Sequence, residues 1–302
     1  MIDFSQVKEM SIPEGVVAQI MSGGALLWKK PSAGARFVGY TGTYTESSVE
    51  IDGAPYTLYT LTTSGTLKIE GDGALFWMCG SGAGGQNGSN TTGDFYSGMG
   101  GGAGYISQGV LTGGEYAVVI GAGGKANSNG SQSKIGEIVA NGGKKDGSGG
   151  SGGGGGHNLD TSTPKNNLTA KNGGTGQGIE CVPFGLSSLG EHCDGGGGGG
   201  ARHDRYTTDK RTATGGKGGA NGSDGAKGKV TTGTVSVETS AGGTGGKGGG
   251  TGGGAVGNID ATPATFYGSG GGGGNASRTQ NTTSSGNGSA GYQGVLYIAI
   301  PA

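Results

Sequence analysis

Proline is scarce in this sequence, with seven in 302 residues, and so are arginine (five), aromatic side chains (6%) and charged residues (14%). Each shortage removes a class of protein. Seven prolines are too few for a collagen-like triple helix, which also needs an unbroken Gly-X-Y register. Here the register slips at 250, and pure glycine runs occupy 152–156 and 195–200. Five arginines, none inside an RGG repeat, leave out the cationic glycine-rich tails that hold RNA by charge and stacking. With 20 basic and 21 acidic residues the net charge is −1, so no overall field favours nucleic acid or an anionic membrane. No run of 18 apolar residues occurs, so no membrane insertion by a helix is expected. The opening MIDFSQVKEMSIPEGVV carries charge and lacks an apolar core, so no signal peptide is expected and the chain reads as made in a cytoplasm. The eight Asn-x-Ser/Thr sequons, from Asn87 to Asn287, are then accidents of Asn/Gly/Ser/Thr-rich loops.

Cysteine is also rare. Cys79 lies in the apolar run ALFWMC and reads as a buried thiol. Cys181 and Cys193 enclose VPFGLSSLGEH; they could close a disulfide around that loop outside a cell, or stay reduced as expected of a cytoplasmic product.

What the sequence has instead is glycine, 80 residues, more than a quarter of the chain against roughly 7% on average. Hydrophobic residues reach only 30%, so a side-chain core cannot offset the ordering entropy along the whole length. The apolar residues gather in the first 120 positions and the last ten. VVAQIM and ALLWKK flank Ser22-Gly23-Gly24 and read as a β-hairpin. RFVGYTGTY, SSVEI, YTLYTL, GTLKIE, ALFWMC and EYAVVIG read as strands of a small β-sandwich. YQGVLYIAI at 292–300 is apolar enough to lie inside that same sheet, which would pin the glycine-rich stretch at both ends.

Within that stretch glycine-dense runs alternate with polar segments, and the runs show a period of three. Ser148 and Ser151 interrupt one; Ala241, Thr244 and Lys247 interrupt another; glycines recur at 216, 219, 222, 225 and 228. Three residues per turn is the period of the polyproline II helix, whose backbone makes no internal hydrogen bonds and must find partners outside itself. Without Cβ atoms, neighbouring helices of this kind can approach and bond sideways. The expected architecture is therefore mainly β plus polyglycine II, with little or no α-helix. Residues 1–34 form an attachment hairpin and linker, 35–121 with 292–302 a β-sandwich, and 122–291 an inserted lattice of polyglycine II helices carrying loops. The runs 173–178 and 195–200 are six residues each, about 19 Å, or one crossing of such a lattice. Loops 157–172 and 201–214 should then share one end, with 179–194 at the other.

The alternation of GSGGSGGGGG, CDGGGGGGAR, GTGGKGGGTGGGAVG and GSGGGGGN with unrelated loops resembles the glycine-rich adhesins at the tips of bacteriophage tail fibres, over roughly residues 75–302. The opening MIDFSQVKEMSIPEGVVAQIMSGGALLW is similar to the N-termini of tail proteins from phages of gut Firmicutes. The resemblance implies a virion protein of the tail fibre or tail tip. Its partners would be a host cell-surface receptor, glycan or outer-surface protein, met by the loops, and a tail or fibre protein met by the N-terminal region. LFWMCGSGAGG followed by GGGAGYISQGVLTGGEYAVVIGAGG also resembles the glycine-rich ligand-binding domain of anaplastic lymphoma-type receptor kinases. A purely structural spacer is a third reading.

Little in the sequence points to catalysis. GGTGGKGG ends its would-be phosphate loop in Gly248 instead of Ser or Thr, and no carboxylate pair is set up for glycoside hydrolysis. A metal centre from Cys181, His192 and Cys193 would have to use adjacent His-Cys in place of the usual C-x₂₋₄-C spacing. No enzyme, metal or cofactor is expected. The candidate receptor contacts are Arg202, Arg205 and Tyr206 in ARHDRYTTDKR, with Phe266, Tyr267 and Phe184, because aromatics beside arginine are common interface anchors and also suit a sugar. The plainer alternative makes each aromatic a lid over a helix end, a reading favoured for Phe184.

Overall fold

A computed structural model describes residues 34–91, 95–160, 167–204, 211–232, 241–255, 259–279 and 283–302, and the backbone of four short strands before them. The protein is mainly β. Its helical content among the described residues is two single 3₁₀ turns, Pro183–Gly185 and Ser187–Leu189. Near the N-terminus Gln19–Ser22 pairs antiparallel with Ala25–Lys29, Ser22 facing Ala25, which is the hairpin expected around Ser22-Gly23-Gly24.

Two antiparallel five-stranded sheets form the sandwich. The first runs in the order Ile106–Leu111, Ala74–Cys79, Val295–Pro301, Ala54–Leu61 and Tyr44–Ile51. The second runs Ile138–Ala140, Ser133–Ile135, Gly114–Val119, Gly65–Glu70 and Arg36–Tyr40. The last strand of the chain thus lies between two partners, as its unbroken apolar run requires: a strand buried on both faces cannot alternate with polar residues. Side-chain alternation then divides it. Leu296, Ile298 and Ile300 join Phe76, Met78 and Leu61 against Leu67, Ile69, Val118 and Ile135 of the second sheet. Val295, Tyr297 and Ala299 join Trp77, Cys79 and Leu58 on the opposite face. The second sheet extends past residue 121, because SKI and IVA, short apolar patches among glycines, add its two outer strands.

The glycine runs pack against that opposite face, and their hydrogen bonds repeat every third residue. In the run 195–200, Gly195 and Gly198 donate to the carbonyls of Gly219 and Gly216. Gly196 and Gly199 donate to Gly101 and Gly98, and Gly197 and Gly200 to Gly250 and Gly253. Its own carbonyls accept from Gly246 and Gly243, from Gly154, and from Gly273 and Ala276. One segment is therefore bonded to six others, some parallel and some antiparallel. The same recurrence holds at 80–88: Gly80, Ala83 and Gln86 donate to Tyr105, Gly102 and Met99, whereas Gly82, Gly85 and Gly88 donate to Tyr292, Ser289 and Gly286. A β-strand, with its period of two, reaches only two neighbours in one plane; these segments reach neighbours all round.

Glycine is needed here for closeness. A Cβ on Gly195, Gly196, Gly197 or Gly199 would stand 2.0, 2.0, 1.8 or 2.0 Å from a neighbouring carbonyl oxygen. The few buried side chains in the block bond to its backbone: Ser81 Oγ donates to Ala122 and accepts the Ser131 N–H, and Ser151 Oγ accepts the Gly222 N–H.

At the far end of the runs stand two further sheets. One has the order Ser89–Asn90, Phe95–Ser97, His157–Asp160 and Asn167–Ala170. The other has the order Lys229–Thr232, Arg211–Thr214, Ala201–Asp204, Ala276–Thr279 and Thr283–Ser285. Phe95, Leu168, Ala201, Ala213 and Ala276 make a small core between them, with Val230 against it. The hairpins 157–170 and 201–214 therefore share one end, and 181–193 packs at the other, against Trp77 and Tyr297 of the sandwich.

Candidate functional site

The two ends of the glycine block offer different chemistry. The crown of hairpins is polar and its small core is fixed by side-chain bonds to backbone. Ser97 Oγ donates to the Gly199 carbonyl at 2.8 Å, accepts the His157 N–H at 3.0 Å and meets His157 Nδ1 at 3.1 Å. His157 is fully buried, and burial pushes its imidazole down to about 4, so the ring is neutral near pH 7. Asn90 Nδ2 donates to the carbonyls of Ser277 and Ser284, and Arg278 Nε donates to Asn90 Oδ1 at 2.9 Å while its guanidinium lies 5.5 Å over the Phe95 ring. Arg202 sits half-buried on the central strand of the five-stranded sheet of this crown. Arg205 and Tyr206 lie outside the described residues.

At the sandwich end an aromatic pocket of about 340 Å³ is lined by Leu189, Gly190, His192, Thr265, Phe266, Tyr267, Tyr292 and Tyr297. Its floor is His192, 5% exposed, whose Nε2 stands 2.7 Å from the Tyr297 hydroxyl and whose Nδ1 has no hydrogen-bond partner. Burial lowers the His192 pKa and raises that of Tyr297, so a neutral imidazole faces a neutral phenol. The rings interlock around it: Trp77 edge-on at 5.6 Å, Tyr267 edge-on at 5.7 Å, Tyr297 stacked at 5.6 Å, and Tyr292 against Tyr267 at 5.6 Å. Phe266 and Tyr292, each 39% exposed, form the rim. Aromatic walls of this kind can hold the flat face of a small ring. A second, polar recess of about 620 Å³ lies beside Tyr105, Asn129, Gln132, Asn141 and Lys144.

The six candidate contacts thus separate. Phe266 and Tyr267 line the aromatic pocket, and Phe184 packs partly buried on the same cluster. Arg202 is in the crown, so no single surface joins all of them. Sequence reasoning missed Tyr292 and Tyr297, and weighed His192 only as a metal ligand. The alternation in YQGVLYIAI gave a signal for Tyr297, which must share the Val295 face and not the Leu296 face.

Of the two states left open for Cys181 and Cys193, a loop-closing disulfide or reduced thiols, the structure has the reduced thiols. Cys79, Cys181 and Cys193 are all free and fully buried, Cys79 as expected. Cys181 Sγ turns to Ser151 Oγ at 3.7 Å, and burial pushes its thiol up to about 12. The neighbour of Cys193 is Cys79. Cys181 Sγ also lies 3.9 Å from the Cys193 carbonyl oxygen, and no group of three metal-ligating residues occurs among the described residues.

No protein-family model matches the chain, and no curated protein matches it.

Proposed function

We propose that this chain is a non-enzymatic adhesin of the phage tail-fibre kind, whose glycine runs are polyglycine II helices and whose crown of hairpins meets a receptor on a bacterial surface. The observation that carries this reading is the six-way bonding of the run 195–200 with its three-residue recurrence, which is the bonding polyglycine II requires. Backbones locked in every sideways direction make a stiff block, and a stiff block is worth having where loops must be held in place at a distance. The topology supports one direction of display. The strands Arg36–Tyr40 and Val295–Pro301 both belong to the sandwich, so the chain enters and leaves the body at that end. The hairpins stand roughly 19 Å away across the block. Attachment through the sandwich side therefore turns the crown outward.

The test is exchange of the segments 161–166, 205–210 and 233–240 for glycine-serine sequences of equal length, followed by binding of the purified chain to bacterial cells. Binding should fall at least tenfold for one or more exchanges while the unfolding midpoint stays fixed. Unchanged binding by all three would overturn the reading and leave the spacer role in its place.

A further inference from the structure

The mechanism of display makes no use of the three buried thiols. Two of them meet at the junction between sandwich and glycine block. Cys79 ends the strand Ala74–Cys79, one place from the centre of the first sheet; Cys193 leads through Asp194 into the run 195–200. Between them lies Gly268, with φ +71°, and a Cβ there would stand 2.6 Å from Cys193 Sγ and 2.9 Å from Cys79 Sγ. Both sulfurs therefore flank one small space that the missing side chain keeps open. Both residues belong to one buried cluster with Trp77 and Val295.

We propose that Cys79 and Cys193 are an oxidative cross-linking site, joined as a disulfide by exchange with a low-molecular-weight disulfide, so that the sandwich and the glycine block become covalently bolted. One protein thiolate attacks a sulfur of RS–SR and expels RS⁻, which takes up a proton. The second protein thiolate attacks the sulfur of the first residue in that mixed disulfide and expels the other RS⁻. Two protein thiols are oxidised by two electrons in all, and RS–SR is reduced to two RSH. The aromatic pocket adjoins the pair, since its lining residues His192 and Tyr267 are the chain neighbours of Cys193 and Gly268. Rotation about the Cys side-chain bonds into the space beside Gly268 brings the sulfurs together, whereas Cys181 Sγ is directed to Ser151 Oγ and to the Ile179 and Cys193 carbonyl oxygens and does not border that space. Burial raises the Cys193 thiol well above its ordinary range, so exchange is slow at neutral pH and accelerates about tenfold per pH unit as thiolate forms. This inference is independent of the adhesin reading.

The experiment uses the full chain, incubated with hydroxyethyl disulfide at pH 7.5 and pH 8.5, quenched with iodoacetamide and peptide-mapped by mass spectrometry. The expected product is a single Cys79–Cys193 cross-link with Cys181 alkylated, formed about tenfold faster at the higher pH. The Cys181→Ser variant should give the same cross-link and Cys79→Ser none. A Cys181–Cys193 link would overturn the proposal. So would three free thiols in the native protein after prolonged incubation at pH 9.5, where exchange is about a hundredfold faster than at pH 7.5.

Discussion

A methyl group at position 197 is the smallest change that interrogates the glycine block. Gly197 is in the middle of the run 195–200, where it donates to Gly250 at 2.8 Å and accepts from Gly273 at 2.9 Å. In Gly197→Ala the new Cβ would meet the Gly243 carbonyl oxygen at 1.8 Å, its carbon at 2.5 Å and the Thr244 carbonyl carbon at 2.9 Å. Ordinary contact begins at 3.4 Å, so the two segments must part by about 1.6 Å. Neither can retreat, because each is bonded on its other sides. Moving that far breaks hydrogen bonds of about 1 kcal/mol net each and strands buried donors or acceptors at about 1–3 kcal/mol apiece. A loss of about 4 kcal/mol is expected, a large part of the 5–15 kcal/mol that typically separates native from unfolded protein. Gly39→Ala is the control. Nothing lies within 4 Å of a Cβ at that strand position, so the variant should gain about 0.5 kcal/mol by restricting the unfolded chain. Urea unfolding followed by the emission of Trp77, which is fully buried, measures both. A Gly197→Ala protein within 1 kcal/mol of the parent would refute the idea that the segments are held in contact.

Buried titrating groups oppose each other in acid, Asp194 on one side and His157 and His192 on the other. Asp194, fully buried with Oδ2 bonded to the Gly248 N–H at 2.9 Å and Oδ1 unpartnered, has its carboxyl raised by burial to about 6. It is protonated more readily folded than unfolded, so stability from this group rises as pH falls from about 6 to 4, by about 3 kcal/mol. His157, lowered to about 4, works the other way: the unfolded chain takes up the proton first, so stability falls as pH drops from 6.5 to 4, by a similar amount. Asp194→Asn should therefore expose a protein that weakens steeply below pH 6.5, and an urea series at pH 4.5, 5.5 and 7 that stayed flat would reject the assignment. Ser97→Ala removes the donor to Gly199 and the acceptor for His157, and a destabilisation of about 2 kcal/mol is expected by the same urea assay. In hydrogen exchange, the amides of 195–200 should be among the slowest in the chain; exchange as fast as at the exposed turn Asp52-Gly53 would contradict the six-way bonding.

The backbone architecture was largely readable from sequence, and the aromatic site was not. The period of three in the glycine runs and the apolar run Val295–Ile300 reflect steric and burial demands that act locally, so they appear in the residue order itself. The placing of hairpins 157–170 and 201–214 at one end followed from run length alone. By contrast, His192 and Tyr297 meet across 105 positions, and Cys79 and Cys193 across more than that. Such contacts depend on how the segments are ordered in the block, which a string of equivalent glycines does not encode. The crown strands were hidden for another reason. ARHD, RTAT, KVTT and ASRT carry almost no apolar alternation, and the neighbouring glycine segments set their spacing.

The arrangement of the sandwich also decides where tension travels. Arg36–Tyr40 lies at the rim of one sheet and Val295–Pro301 in the interior of the other. A pull applied between Arg36 and Pro301 is therefore transmitted across the apolar interface between those sheets. The glycine block hangs outside that route, like a tool head clamped beside its handle. The sandwich can be strained while the hairpins at the far end of the glycine block keep their mutual positions.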